Sequence, residues 1–232
     1  MTAAQEILII DDEPAIRRFL KSSLLAHGFA VTEADTGAAG LAALTRGNFA
    51  LAVVDLGLPD IDGHALVHAI RTQSPLPIIV LSVRDDEAGK VAALDGGADD
   101  YVTKPFGIEE FMARIRAALR HRLQEQGRTA VFRNGDLTID ILAREVMMRG
   151  EVVKLSRREF DLLLYLAEHV GKVVTHSQAL SHVWGAAHGE DVEYLRVYIR
   201  QLRQKIEADP QQPALILTEP GVGYRMKLAD AI

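Results

Sequence analysis

Residues 53–63 read Val-Val-Asp-Leu-Gly-Leu-Pro-Asp-Ile-Asp-Gly. The apolar run Ala50–Val54 ends there on Asp55, and a helical stretch is expected over residues 63–72. A short, continuous apolar run bounded by turn residues suits a strand buried on both faces of a parallel sheet. An acid at the carboxyl end of such a strand lies where open parallel sheets bind their ligands.

The pattern repeats on both sides. Ile7–Ile10 and Pro77–Leu81 are similar runs, with shorter ones near residues 30–33 and 101–103. Pro14 suits a first helical turn after Asp12 and Glu13. Ile16, Leu20, Ser23 and Leu24 then share one face, and Gly28 stops that helix. Further helices are expected near residues 37–46, 86–95 and 108–123. The alternation is (βα)₅, an α/β doubly wound parallel sheet occupying residues 1–123.

Three acids fall at strand ends: Asp11 and Asp12 after Ile7–Ile10, and Asp55. Ser82 ends the fourth strand, and Lys104-Pro105 follows the fifth. Clustered carboxylates raise one another's pKa, and a hard divalent cation such as Mg²⁺ (or Mn²⁺) relieves that repulsion. An aspartate beside a metal, a lysine and a hydroxyl is equipped for phosphoryl transfer. Taken singly, each residue has a plain structural reading: Asp11-Asp12 as a helix cap, Ser82 as another, Lys104 as a solvated charge. It is the ordered set on successive strands that points to chemistry. A metal-dependent phosphatase would use the same acids, but such enzymes usually need a second acid two residues after the nucleophile, and that residue here is Gly57.

The stretch 124–130, Gln-Glu-Gln-Gly-Arg-Thr-Ala, is polar and reads as a linker. Beyond it the character changes, over residues 131–230. Turns at Asn134-Gly135 and Arg149-Gly150 separate short strand-like pieces. Helices are expected near residues 156–169, 176–184 and 190–207, and Thr218–Lys227 reads as strand, turn, strand. That order suits an α+β winged helix-turn-helix. In the last helix Val192, Leu195, Ile199, Leu202 and Ile206 form an apolar stripe, while Arg196, Arg200 and Arg203 lie off it with Lys205 nearby. Tyr194, Tyr198, Gln201 and Gln204 add polar reach, and no acid occurs between Tyr194 and Ile206. Such a helix is either an amphipathic helix with a cationic solvent face or a DNA reader. The preceding helix and the terminal hairpin favour readout in the major groove.

Charge supports two different partners for the two halves. Residues 1–125 hold 12 Lys and Arg against 18 Asp and Glu, whereas residues 126–232 hold 14 of each. The absence of cysteine excludes disulfides, thiolate zinc sites and cysteine nucleophiles. No run of 18 apolar residues is present, and the first residues lack a basic segment, so neither a membrane span nor a signal peptide is expected and the cytoplasm is the expected location.

The segments IIDDE (9–13), VVDLGLPDIDG (53–63), VLSVR (80–84) and DDYVTKPF (99–106) together resemble receiver domains over residues 5–122. The resemblance implies that Asp55 accepts a phosphoryl group from a cognate sensor histidine kinase. It implies Mg²⁺ ligation by Asp12, Asp55 and the carbonyl of Gly57, with Asp11 assisting. It makes Lys104 the partner of the phosphoryl oxygens, the Lys104-Pro105 peptide cis, and Ser82 with Tyr101 the switch, Tyr101 rotating inward. Residues 155–180, VWG (183–185), YLRVYIRQLRQKIE (194–207) and PGVGYR (220–225) resemble the effector domain of the OmpR/PhoB family over residues 131–228.

That likeness makes the chain a phosphorylation-dependent transcription regulator rather than an enzyme. Tyr194, Tyr198, Arg200 and Gln201 become groove candidates. Arg196, Arg203 and Gln204 become backbone contacts, with an internal pairing of Arg203 as the alternative, and Thr218 carries wing contacts. Trp184 is expected in the core. Gly185–Gly189 falls where relatives contact RNA polymerase. A homodimer formed on phosphorylation is implied through Lys90, Asp95, Asp99, Asp100, Glu110 and Arg114, with Asp100 and Arg114 matching an interchain pair. A regulator that binds promoter DNA independently of phosphorylation is the alternative. Three residues depart from the common pattern: Val83 beside the switch serine, Asp86 where a basic residue is frequent, and Glu219, an acid in the wing.

Overall fold

The computed structural model describes residues 5–83, 87–127, 129–185 and 191–229. The chain divides into two compact units, residues 2–128 and 129–232.

In the first unit β1 (Glu6–Ile10), β2 (Ala30–Ala34), β3 (Leu51–Asp55), β4 (Ile78–Ser82) and β5 (Asp100–Thr103) form one parallel sheet in the order β2-β1-β3-β4-β5. The connecting helices are α1 (Pro14–Ala26), α2 (Gly37–Leu44), α3 (Gly63–Gln73) and α4 (Glu87–Asp95), and α5 (Ile108–Glu125) follows the last strand. The apolar runs are fully buried because helices cover the sheet: Ile7 to Ile10, Leu51 to Val54 and Ile78 to Leu81 have no exposure. Each Val, Leu or Ile side chain among them contributes about 2 kcal/mol by leaving water.

Helix α1 starts at Pro14 and buries Leu20 and Leu24. Ser23, on the same face, is half-buried and donates its hydroxyl to the Phe19 carbonyl at 2.9 Å. Helix α5 runs two residues into the stretch read as linker. Its last turn is held by Arg122, which donates to the carbonyls of Phe49 and Ala50 at 3.0 and 2.5 Å.

The second unit opens with an antiparallel sheet, β6 (Val131–Asn134), β7 (Leu137–Asp140), β8 (Glu145–Met148) and β9 (Glu151–Val153). Arg149 and Gly150 both have positive φ, 54° and 84°, the conformation that closes a tight hairpin between β8 and β9. Asn134 does more than turn the chain. Its side chain donates to the Lys227 carbonyl at 2.9 Å and accepts from the Ala229 amide at 2.6 Å, tying down the C-terminal segment.

Then follow α6 (Arg157–Glu168), β10 (Val173–Thr175), α7 (His176–Trp184), α8 (Val192–Ile206), β11 (Ile216–Glu219) and β12 (Gly223–Met226). Capping boxes at Ser156 with Glu159 and at Thr175 with Gln178 fix the starts of α6 and α7. Strand β10 joins the expected terminal hairpin in a sheet ordered β10-β12-β11. Leu195, Ile199, Leu202 and Ile206 of α8 pack with Phe160, Leu163, Leu180, Ile216 and Met226 in one core.

Candidate functional site

The parallel register decides which side chains meet. Ile10 pairs with Val54, so Asp11 and Asp55 emerge side by side from β1 and β3. Strand order reverses between these two strands, the crevice where doubly wound sheets bind ligands. Ser82 pairs with Thr103, which brings Lys104 to the same end, and the Lys104 amide donates to the Ser82 carbonyl at 2.7 Å. The Lys104-Pro105 peptide is cis, as the receiver likeness implies.

The Lys104 ammonium lies 3.0 Å from Asp11 Oδ2, 3.1 Å from Asp55 Oδ1 and 3.2 Å from Glu13 Oε1. Asp11, Asp55 and Ser82 are buried. Carboxylate oxygens of Asp11, Asp12 and Asp55 lie within 4.8 Å of one another. Burial pushes the Asp11 carboxyl above its ordinary range, and the hydrogen bond from Lys104 offsets only part of this. Burial also opposes the Lys104 charge, but Asp11 and Asp55 outweigh it and raise the ammonium above the ordinary lysine value. Asp11 holds its proton more tightly chiefly because it is buried, and Lys104 because carboxylates surround it, so the pocket carries more carboxylate than cation.

That surplus is the physical case for a bound divalent cation. Three carboxylates within reach of one another fit a hard, oxygen-preferring ion. A Cβ at Gly57 would lie 3.2 Å from Asp55 Oδ2, so the bare backbone at this position leaves the Asp55 carboxylate unobstructed. The helix-cap reading of Asp11 fares poorly. Glu13 occupies the N-cap of α1 without a side-chain cap bond, while Asp11 Oδ1 accepts the amide of Glu13 itself, at 2.8 Å, rather than an amide of the first helical turn.

Sequence reading missed Glu13 and two acids of the β3–α3 loop. Asp60 accepts the amides of Gly37 and Ala38 at 3.0 and 2.9 Å, and those bonds, more than any other influence, hold its carboxyl below the ordinary range. Asp62 caps α3 through the amides of His64 and Ala65. Both lie in the quoted 53–63 segment, where Asp-x-Asp-Gly is itself a helix-start signal. Gly63 is required by close approach, since a Cβ would lie 2.4 Å from Leu56 Cα.

Tyr101 is already buried, with the Lys90 ammonium 5.9 Å from its ring centroid. Val83 is 72% exposed, so its bulk points to solvent rather than filling the pocket. Asp99 accepts from Arg71 and from the Ile78 amide, at 2.6 and 2.7 Å. Arg114 bonds both Asp100, at 2.9 and 3.0 Å, and Glu110, at 2.7 Å, within one chain. Asp95 is exposed, as are Val91 and Leu94 on the same helix. Asp86 lies outside the described residues.

On α8, Tyr194, Arg196, Arg200, Gln201 and Gln204 are exposed and Tyr198 is half-buried. Tyr194 and Tyr198 each meet Trp184 edge-on, at 5.4 and 5.0 Å between centroids, so the two tyrosines are braced from below. Trp184 packs against the core as expected. Val197, which sequence reading left out, is also exposed on this helix. Arg203 does not reach out. It donates to the Ile216 carbonyl and to Thr218, and burial depresses its pKa. Lys205 pairs with Glu159 at 2.7 Å, and Glu219 with Arg225 at 2.5 Å, which neutralises the acid in the wing. Of the 185–189 stretch, only Gly185 is within the described residues.

Comparison with known proteins gives consistent results. Residues 7–116 match the response regulator receiver domain, and residues 150–226 match the C-terminal domain of transcriptional regulatory proteins. The KDP operon transcriptional regulatory protein KdpE of Escherichia coli K12 is 45% identical, covering 96% of this chain and 99% of its own length. The transcriptional regulatory protein KdpE of Mycobacterium tuberculosis CDC 1551 is 43% identical, covering 95% and 98%. A CheY-like receiver domain from Methanospirillum hungatei superposes with a TM-score of 0.52 at 31% identity, covering 53% of this chain and 99% of that one.

Proposed function

The chain belongs to the OmpR/PhoB family of two-component response regulators, with a receiver and a DNA-binding domain, and from that membership we propose how it works. A sensor histidine kinase phosphorylates Asp55. The phosphorylated receivers pair, and two effector domains bind a repeated promoter site together, where they engage RNA polymerase. Linking the two domains in a dimer raises their effective concentration on DNA without any new base contact.

The carrying observation is Lys104, whose ammonium bridges Asp11 and Asp55 at adjoining strand ends. In the transfer, an Asp55 oxygen attacks phosphorus while the bond to the kinase imidazole breaks, and the imidazole keeps the electron pair. Lys104 offsets charge on the phosphoryl oxygens, and the Ser82 hydroxyl donates a hydrogen bond to one of them. Asp11, Asp12, Asp55 and the Gly57 carbonyl are the groups that would hold Mg²⁺, which supplies countercharge when bound. The receiver thus assists its own phosphorylation and dephosphorylation, and has no external substrate to turn over. The absence of an acid at Gly57 counts against a phosphatase.

The target we propose is a Kdp-type potassium-uptake operon. Two relatives named for KdpE match nearly the whole chain. Among the described residues no helix is long and apolar enough to cross a membrane, in keeping with action on DNA in the cytoplasm. The test is footprinting on the host's potassium-transport promoter across a salt series, with and without a small-molecule phosphodonor. Phosphodonor is expected to tighten binding by the wild-type chain and leave Asp55→Ala unchanged. An equal gain in Asp55→Ala would overturn the mechanism.

A further inference from the structure

Among the described residues, strand β11 lies at the edge of its sheet, next to β12. The Leu215 carbonyl accepts from Lys227 across the hairpin, so the peptide groups of Ile216 face the other way and need partners elsewhere. Helix α8 supplies both. Glu207, its C-cap residue, accepts the Ile216 amide at 2.7 Å, and also the amides of Ala214 at 2.9 Å and Leu215 at 3.0 Å. Arg203, one turn earlier, donates to the Ile216 carbonyl through Nε at 3.1 Å and Nη2 at 2.7 Å. Its Nη2 also reaches Thr218 Oγ1 at 2.8 Å, and the guanidinium lies 5.8 Å from the Tyr224 ring centroid on β12. One residue thus takes the amide and the other the carbonyl of the same edge residue. This off-stripe arginine is spent on the hairpin.

Resting on the DNA-binding reading above, we propose that Arg203 and Glu207 are positioning residues that lock the recognition helix to the terminal hairpin, so that major-groove and minor-groove contacts form a single reading head. The competing role for Arg203 is a phosphate contact, which needs only its charge. Lysine keeps that charge but lacks the planar fork that spans Ile216 and Thr218. Arg203→Lys therefore separates the two roles.

The experiment uses the full chain, first without DNA. In Arg203→Lys, amide exchange at residues 214–218 is expected to quicken by about tenfold while α8 stays protected. The same chain is then footprinted with dimethyl sulfate on a duplex recovered from a random pool by the wild type. Guanine N7 protection in the major groove is expected to persist and adenine N3 protection in the minor groove to be lost. Unchanged exchange, or both protections kept, overturns the lock. Should Arg203→Lys loosen α8 as well, Glu207→Gln must show the split between helix and hairpin, and uniform loosening there overturns the lock too. A wild-type chain that selects no duplex overturns the DNA-binding reading instead, a result the exchange measurement does not depend on.

Discussion

Lys104 and Arg203 are each committed to partners within their own domain, and they are held in opposite ways. Lys104 faces three carboxylates and has only 8% of its side chain exposed. Arg203 faces a peptide carbonyl, a hydroxyl and a ring. The receiver pocket is left with a surplus of negative charge, so a cation or a change of charge on Asp55 alters its balance directly. Around Arg203 the acceptors are neutral and the bonds directional, and what they fix is geometry. One domain is built to respond to charge and the other to present a shape.

The sharpest way to break that contrast is to remove from each domain one lysine that pairs with a buried acid. Lys104→Met leaves Asp11 and Asp55 facing each other inside the protein and is expected to destabilise the receiver by about 3 kcal/mol. Hydrogen exchange at the amides of β1 and β3 reads this. Lys205→Met removes the partner of Glu159 in the effector, but Lys205 is 36% exposed, so about 1 kcal/mol is expected. Trp184 is the single tryptophan, and its fluorescence during urea unfolding reports the effector alone. Equal losses in the two domains would erase the distinction. A slightly smaller effect sharpens it: Mg²⁺ at a hundredfold excess over its Kd is expected to stabilise the receiver by about 2.7 kcal/mol and leave the Trp184 transition unmoved.

The same contrast governs what could be read beforehand. Strand-end positions in a parallel sheet are fixed by topology, so Asp11, Asp55, Ser82 and Lys104 were legible together once the apolar runs were counted. The α8 stripe was equally legible, since Leu195, Ile199, Leu202 and Ile206 are all buried. Roles of the cations on its other faces were not. Periodicity shows that Arg203 and Lys205 leave the stripe, but not that Ile216 and Glu159 come round to meet them from elsewhere in the chain. Glu13 was hidden for a similar reason: its partner Lys104 is 91 residues away.

Acid distinguishes the effector's pair further. Burial opposes the Glu159 charge, but Lys205 and the Ser156 amide outweigh it and hold the carboxyl below its ordinary value of 4.5. Between the folded and unfolded pKa values the unfolded chain binds more protons, so stability falls as pH falls. The contribution is full above pH 4.5 and is lost as pH drops through the folded value. The Trp184 transition is expected to weaken below that point in the wild type and to weaken less in Lys205→Met. Parallel losses in the two chains would mean that the ion pair does not set the slope.

The smallest effect lies at the surface of α8, where charge and shape can be told apart most cleanly. Arg196 pairs with Glu193 one turn away, and both side chains are largely exposed. Such a pair contributes about 0–1 kcal/mol to stability, so neither Arg196→Gln nor Glu193→Gln is expected to move the Trp184 transition detectably. On DNA the two substitutions diverge. If Arg196 meets a phosphate, Arg196→Gln lowers the slope of log K against log salt by about 0.9 and weakens all sequences alike. Glu193→Gln releases the arginine from this ion pair and removes a repelling acid, so binding tightens a few-fold, most at low salt. If Arg196→Gln instead changes which duplex is preferred while the slope holds, Arg196 reads bases, and the division of α8 into backbone-holding and base-reading residues must be redrawn.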